Sequence, residues 1–251
     1  AWARGELENF LEDFDDIETK NYLRRISTPG NALPVNKPVV VVENKTAIIS
    51  NHESKQNSWI AHKEWISSSR YKLPRSAIQT IESTTNDIKN IMLNSEKNKI
   101  YGLVVGYVQS GKTANYTALL SRAADMDYTI VIVLSGILND LRSQTQVRLM
   151  RDLTGDRYNW LDGDTQCIPH NNQKWTWLTS LDNDYGKYAS EKMGNVLEKR
   201  LSEKEFLIGV VKKNVLVLEH LLGGIMSADP DVLSKHKLLL IDDEADHATV
   251  N

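Results

Sequence analysis

Four short runs in this chain are apolar from end to end: LVVGY at 103–107, TIVIVL at 129–134, FLIGVV at 206–211 and LLLI at 238–241. A half-exposed strand alternates apolar with polar residues, so a run without alternation predicts a strand covered on both faces. Helical spacing fills the intervals at 112–124, 137–153 and 213–226. Strands and helices in alternation specify the α/β class, a parallel sheet flanked by helices.

The first hundred residues read differently. Leu7, Phe10, Leu11, Phe14, Ile17, Leu23 and Ile26 fall near helical spacing, and STPGNALP at 27–34 ends that helix. VVVVE at 39–43 is a further strand candidate. Helices are expected over 59–69 and 75–93, the second opening just after Pro74, where proline is tolerated. We therefore expect a mostly helical N-terminal extension over 1–99 and the α/β lobe over 100–251. Residues 154–205, polar but carrying Trp160, Trp175 and Trp177, are expected to be an inserted excursion, being long for a plain connection.

The 251 residues, 41% of them hydrophobic, supply one large α/β domain with a helical appendage. No stretch approaches the ~18 apolar residues of a membrane span, and the first residues lack the basic-then-apolar order of a signal peptide. Cys167 is the single cysteine, which excludes an internal disulfide or a multi-cysteine zinc site and makes a reducing cytoplasm the expected compartment. A net charge of −3 does not advertise nucleic-acid binding, although a local basic groove is compatible with it. The chain lacks an initiator Met and a closing element after its acidic cluster, so a piece of a longer protein is expected.

Gly106 to Thr113 reads GYVQSGKT and matches G-x-x-x-x-G-K-[ST] at every fixed position. The chain must turn back sharply where the strand ends, and Gly106 and Gly111 permit backbone angles denied to residues with a Cβ. Successive N–H groups then form a nest for phosphate oxygens, reinforced by the partial positive charge at the start of the next helix. Lys112 is placed to bridge the β- and γ-phosphates, and the Thr113 hydroxyl to hold Mg²⁺. The nucleotide-binding candidates are Gly106, Gln109, Ser110, Gly111, Lys112, Thr113 and Ala114, with ATP and Mg²⁺ as the implied cofactors. Hydrolysis also needs an acid at the end of a nearby strand. LLLIDDEADHA at 238–248 provides one, at the rim where open α/β sheets bind ligands. Asp243 is the Mg²⁺ candidate, with Asp242 the alternative. Glu244 is placed to orient and deprotonate the attacking water, and His247 to sense the γ-phosphate through the acidic cluster.

Asp243-Glu244-Ala245-Asp246 after an apolar strand resembles motif II of superfamily-two helicases. The longer stretches GLVVGYVQSGKTANYTALLSRAADMDYTIVIVLSGILNDLRSQTQVRL (102–149) and LLLIDDEADHATVN (238–251) resemble the Z1-domain family. The label of that family proposes an endonuclease, and its core is a helicase-like, RecA-like P-loop fold. The family occurs in large bacterial proteins, often encoded beside GHKL-type ATPases in restriction and phage-defence loci. The resemblance implies nucleotide binding by Gly111, Lys112 and Thr113, with Asp243 and Glu244 serving Mg²⁺ and water. It also implies a DNA partner, a GHKL-type ATPase partner, and a second RecA-like lobe outside residues 1–251 that supplies an arginine finger.

Helicase-like domains place a nucleic-acid-contacting segment after the second strand, which makes Arg142, Gln144, Gln146 and Arg148 candidates for phosphate-backbone contact. A polar, solvated helix start explains them equally. Lys212 and Asn214 occupy a similar rim position after the third strand, where helix capping is the alternative. A nuclease centre has weaker support. Glu43-Asn44-Lys45 with Asp15 and Asp16 fits D/E-x-K formally, and Asp162, Asp164, Asp182 and Asp184 pair at i, i+2. Solvated surface charge explains these as well. Two further function classes therefore stand beside a helicase-like ATPase: an endonuclease with a regulatory P-loop domain, and a nucleotide-gated protein-interaction module.

Overall fold

The computed structural model describes residues 39–42, 57–68, 71, 73–95, 99–105, 111–154, 166–167, 175–182, 184 and 190–243. The chain divides into two compact units that interleave in sequence, Ala1–His52 with Gln79–Asn115, and Glu53–Ile78 with Tyr116–Asn251. The division expected at residues 99 and 100 falls inside the first unit.

In the first unit, strands β1 (Val39–Val42) and β2 (Gly102–Val105) pair antiparallel, from Val39 opposite Val105 to Val42 opposite Gly102. The sequence expectation put 103–107 into the parallel sheet. Instead β2 forms a separate two-stranded sheet with β1, which has four consecutive valines and hence matching length and β-branched character. Helix α1 (Asn57–Ser67) lies in the second unit, and α2 (Arg75–Asn94) contributes residues to both.

The second unit is built on a five-stranded sheet, in the order β4 (Gln166–Cys167), β5 (Trp175–Trp177), β6 (Phe206–Lys212), β3 (Tyr128–Ser135), β7 (Lys237–Asp242). β5, β6, β3 and β7 run parallel, and β4 is antiparallel to β5. Residues of α3 (Lys112–Asp125) and α4 (Asn139–Thr154) cover one face, and α5 (Ser190–Ser202) and α6 (Val215–Met226) the other. The continuous apolar runs follow from this burial. In β3, Val131 and Val133 pack with Leu120, Leu149 and Leu153 on one side, while Ile130 and Ile132 pack with Met193, Leu197 and Leu221 on the other. Each such side chain contributes about 1.5–3 kcal/mol relative to exposure. Gly194 brings α5 close to the end of α6, since a Cβ there would lie 2.6 Å from the Ser227 backbone.

Two features differ from expectation. The stretch read as an inserted excursion contains an integral strand: Trp175 and Trp177 of β5 are core residues beside Ile208 and Val210. Three residues are too few to show a strand period in a polar surrounding. Trp160, the amphipathic pattern at 6–26, Asp15, Asp16, Glu43, Asn44, Lys45, Asp162, Asp164 and His247 lie outside the described residues. Helix α1, assigned by sequence to an extension, instead packs on the sheet unit. The N–H groups of Ser58 and Trp59, in its first turn, donate to the Asp125 carboxylate at 2.9 and 3.0 Å. The Arg122 guanidinium lies 4.2 Å from the Trp59 ring centroid, and the Asp152 carbonyl is 3.0 Å from His62 Nδ1. No helix among the described residues is long and apolar enough to cross a membrane.

Candidate functional site

The candidate residues form two sets, one in each unit. In the first unit, β2 ends at Val105 and α3 begins at Lys112, with Gly111 immediately before it. Gly111 has φ +76°, in the left-handed region. A Cβ there would meet nothing within 4 Å, so backbone conformation rather than space favours glycine. The Asn115 backbone N–H and side-chain Nδ2 both donate to the Gly111 carbonyl, at 3.1 and 3.3 Å. That double contact fixes the first turn of α3. Gly111 and Lys112 are exposed, and Thr113 and Ala114 are half-buried. Gly106, Gln109 and Ser110 lie outside the described residues.

In the second unit, the parallel strands deliver Ser135, Lys212 and Asp242 to one rim. Asp243 follows β7, and its N–H donates to the Leu134 carbonyl at 2.9 Å, carrying the ladder one residue past the strand. Lys213 Nζ lies 2.5 Å from Asp242 Oδ1, and its side chain is 4% exposed against 43% for Asp242. Asp242 is thus engaged by a lysine that sequence reasoning missed. No ion pair or hydrogen bond of the Asp243 carboxylate occurs among the described residues. Glu244 lies outside them.

The four candidates on α4 divide into two pairs. Arg142 and Gln146 are fully buried. Arg142 donates to Gln146 Oε1 at 2.9 Å and to the carbonyls of Ser180 and Leu181 at 2.8 and 2.5 Å, and pairs with Asp184 at 3.3 Å. Gln146 Nε2 donates to the Thr179 carbonyl at 3.0 Å, and its Oε1 accepts from Thr179 Oγ1. Both side chains therefore fasten the segment after β5 to α4, which corrects their reading as phosphate-backbone contacts. Burial pushes the Arg142 guanidinium below its ordinary pKa, against the opposing pull of Asp184 and Asp182. Gln144 and Arg148, on the opposite side of the same helix, are exposed.

Lys212 pairs with Asp184 at 3.1 Å, and its N–H donates to the same carboxylate. Asp184 is thereby committed to Arg142 and Lys212, which removes it from the candidate nuclease set. Asn214 caps α6, its side-chain oxygen accepting from Leu216 and Val217 N–H groups. That is the capping role weighed as its alternative, and Asn214 is itself exposed.

Among the described residues no group of three or more His, Cys, Asp or Glu side chains could hold a metal. A triphosphate-bound Mg²⁺ needs only one or two carboxylates, since phosphate oxygens and water complete its shell. Asp243, a carboxylate at a strand end with its backbone anchored and its oxygens unengaged among the described residues, fits that requirement. Comparison with protein-family models, with curated proteins and with solved structures finds no match for this chain.

Proposed function

We propose that this chain is a RecA-like, helicase-type NTPase lobe that binds and hydrolyses Mg-ATP. The observation that carries the reading is local. An apolar strand, a glycine at φ +76° and a helix opening on Lys112-Thr113 occur in that order, within a segment matching the phosphate-loop pattern. The helix start and its amides attract phosphate oxygens, and the Lys112 ammonium, exposed beside them, adds a positive charge. Mg²⁺, when bound, supplies Lewis-acid stabilisation of charge on the transferring phosphoryl group. Thr113 and Asp243 are the residues that would hold it, and Glu244 the one that would orient the attacking water and take its proton.

The resemblance to the Z1-domain family extends the proposal to coupling of hydrolysis with DNA translocation or remodelling in bacterial anti-phage defence. It includes a cytoplasmic setting, a GHKL-type ATPase partner and a second lobe supplying an arginine. Of the polymer candidates, Gln144, Arg148 and Asn214 are exposed and Lys212 partly so, and these are the ones able to bind DNA directly.

The test is a pair of variants. Lys112→Ala is expected to lower nucleotide affinity at least ten-fold and abolish turnover. Glu244→Gln is expected to bind ATP like the parent and hydrolyse it at least a hundred-fold more slowly. Fluorescent-nucleotide titration and phosphate release measure the two quantities. Unchanged nucleotide binding in Lys112→Ala refutes the phosphate-loop assignment, and normal turnover in Glu244→Gln refutes the role given to Glu244. DNA cleavage persisting in both variants would establish an independent nuclease.

A further inference from the structure

Glycine leaves the peptide that follows it unusually free to rotate, because no Cβ restricts the backbone. At Gly111 that freedom falls on the peptide leading into Lys112, the first residue of α3. The Gly111 carbonyl is held by two donors from one residue, the Asn115 N–H at 3.1 Å and the Asn115 Nδ2 at 3.3 Å. The backbone bond is the ordinary first bond of a helix, whereas the second needs a side-chain donor at 115. A carbonyl oxygen carries two lone pairs, so the two bonds together fix its direction. Peptides are planar, and none is cis among the described residues. The Lys112 N–H therefore points opposite to the Gly111 carbonyl, out of the N-terminus of α3.

The same side chain is unfavourable for stability. Asn115 is 8% exposed, and its Oδ1 is buried with no hydrogen-bond partner among the described residues. A buried acceptor left unpaired is destabilising, whereas an apolar side chain of the same shape avoids that penalty. Leucine has that shape, so burial alone favours leucine at 115; what asparagine adds is the second bond to Gly111. We propose that Asn115 is a positioning residue that pins the Gly111–Lys112 peptide and so aims the Lys112 N–H at a phosphoryl oxygen. The part of the ligand it serves is the polyphosphate chain, not the base or the ribose. This rests on the nucleotide-binding reading, but the pinning itself can be read without nucleotide.

The experiment is displacement of a fluorescent ADP from the full chain, by ADP and by tripolyphosphate, which has neither base nor ribose. Asn115→Leu is expected to weaken both competitors at least three-fold and by similar factors. Its urea midpoint is expected at or above the parental value, because the unpaired acceptor is gone. Asn115→Asp, which keeps the shape but replaces the donor with an acceptor, is expected to weaken both competitors at least as much. Parental tripolyphosphate affinity in Asn115→Leu overturns the proposal. A urea midpoint that falls together with the affinity overturns it too, since the residue then acts by packing.

Should Asn115→Leu not fold, the smaller Asn115→Ala takes its place, with the same loss of affinity for both competitors expected and parental affinity overturning the proposal. A parent chain that binds no nucleotide refutes the proposed function instead. The role of Asn115 is then decided on the nucleotide-free chain by the carbon-13 chemical shift of the Gly111 carbonyl, which moves upfield when a hydrogen bond is lost. An upfield move in Asn115→Leu or Asn115→Ala is the expected result, and an unmoved shift overturns the pinning.

Discussion

At the scale of single residues, Arg142 shows how one side chain can serve as backbone partner for a whole segment. It satisfies the carbonyls of Ser180 and Leu181 and the carboxylate of Asp184, groups that would otherwise be left in a low-dielectric interior. Arg142→Met is expected to destabilise the chain by about 3–5 kcal/mol in urea titration, because Asp184 loses a buried counter-charge. Arg148→Ala is expected to change stability by less than about 0.5 kcal/mol, its side chain being exposed. It should also reduce the salt dependence of DNA affinity by about one phosphate contact, if Arg148 serves the polymer. The division between these two arginines was partly legible in LRSQTQVRL. Positions 142, 146, 149 and 153 follow i, i+4, i+7, i+11 and share the buried face, whereas 144 and 148 share another. An arginine and a glutamine on an apolar stripe were the missed signal.

At the scale of elements, α1 is held by its cap. Asp125 accepts from the second and third N–H groups of α1, although burial pushes its carboxyl above the ordinary aspartate range. Those two N–H groups and Arg122 pull in the opposite direction. An acid whose folded pKa is raised binds its proton more tightly in the folded state. Its contribution to stability is therefore greatest below the unfolded value of about 3.9 and declines as pH rises through the folded value. Asp125→Asn lacks this slope. The stability of the Asn variant relative to the parent is thus expected to increase from pH 3 upward and to level off once Asp125 is ionised in both states. Parallel urea midpoints across that range check it, and a constant difference would contradict the assignment. The capping partner lies 66 residues from Trp59, a separation that no local pattern reveals.

At the scale of the whole molecule, the sheet ends abruptly at β7. Leu239 and Ile241 pack against the core cluster, while Leu238 and Leu240 are 43% and 53% exposed. A strand apolar throughout was expected to be covered on both faces. Among the described residues β7 pairs only with β3, leaving its other edge unpaired there. Exposed apolar edges invite association. Leu240→Lys is expected to change unfolding free energy by less than about 0.5 kcal/mol and to shift sedimentation at high concentration toward the slower species. Ile241→Ala is expected to cost about 2–4 kcal/mol. Equal losses in the two variants would mean that the Leu240 face is covered in solution.

Local order was thus written in the sequence: the α/β alternation, the apolar runs of β3, β6 and β7, the helices between them and the glycine turn before Lys112. These depend on periodicity and backbone preference within a few residues, which a linear pattern carries. Tertiary structure alone decided that β2 pairs with β1, that Trp175 and Trp177 form a core strand, and that α1 docks under Asp125. It also decided that Lys213 claims Asp242 and that Arg142 and Gln146 turn inward. Each of those outcomes depends on which distant groups meet, and is set by the competition among partners for buried polar atoms and apolar area.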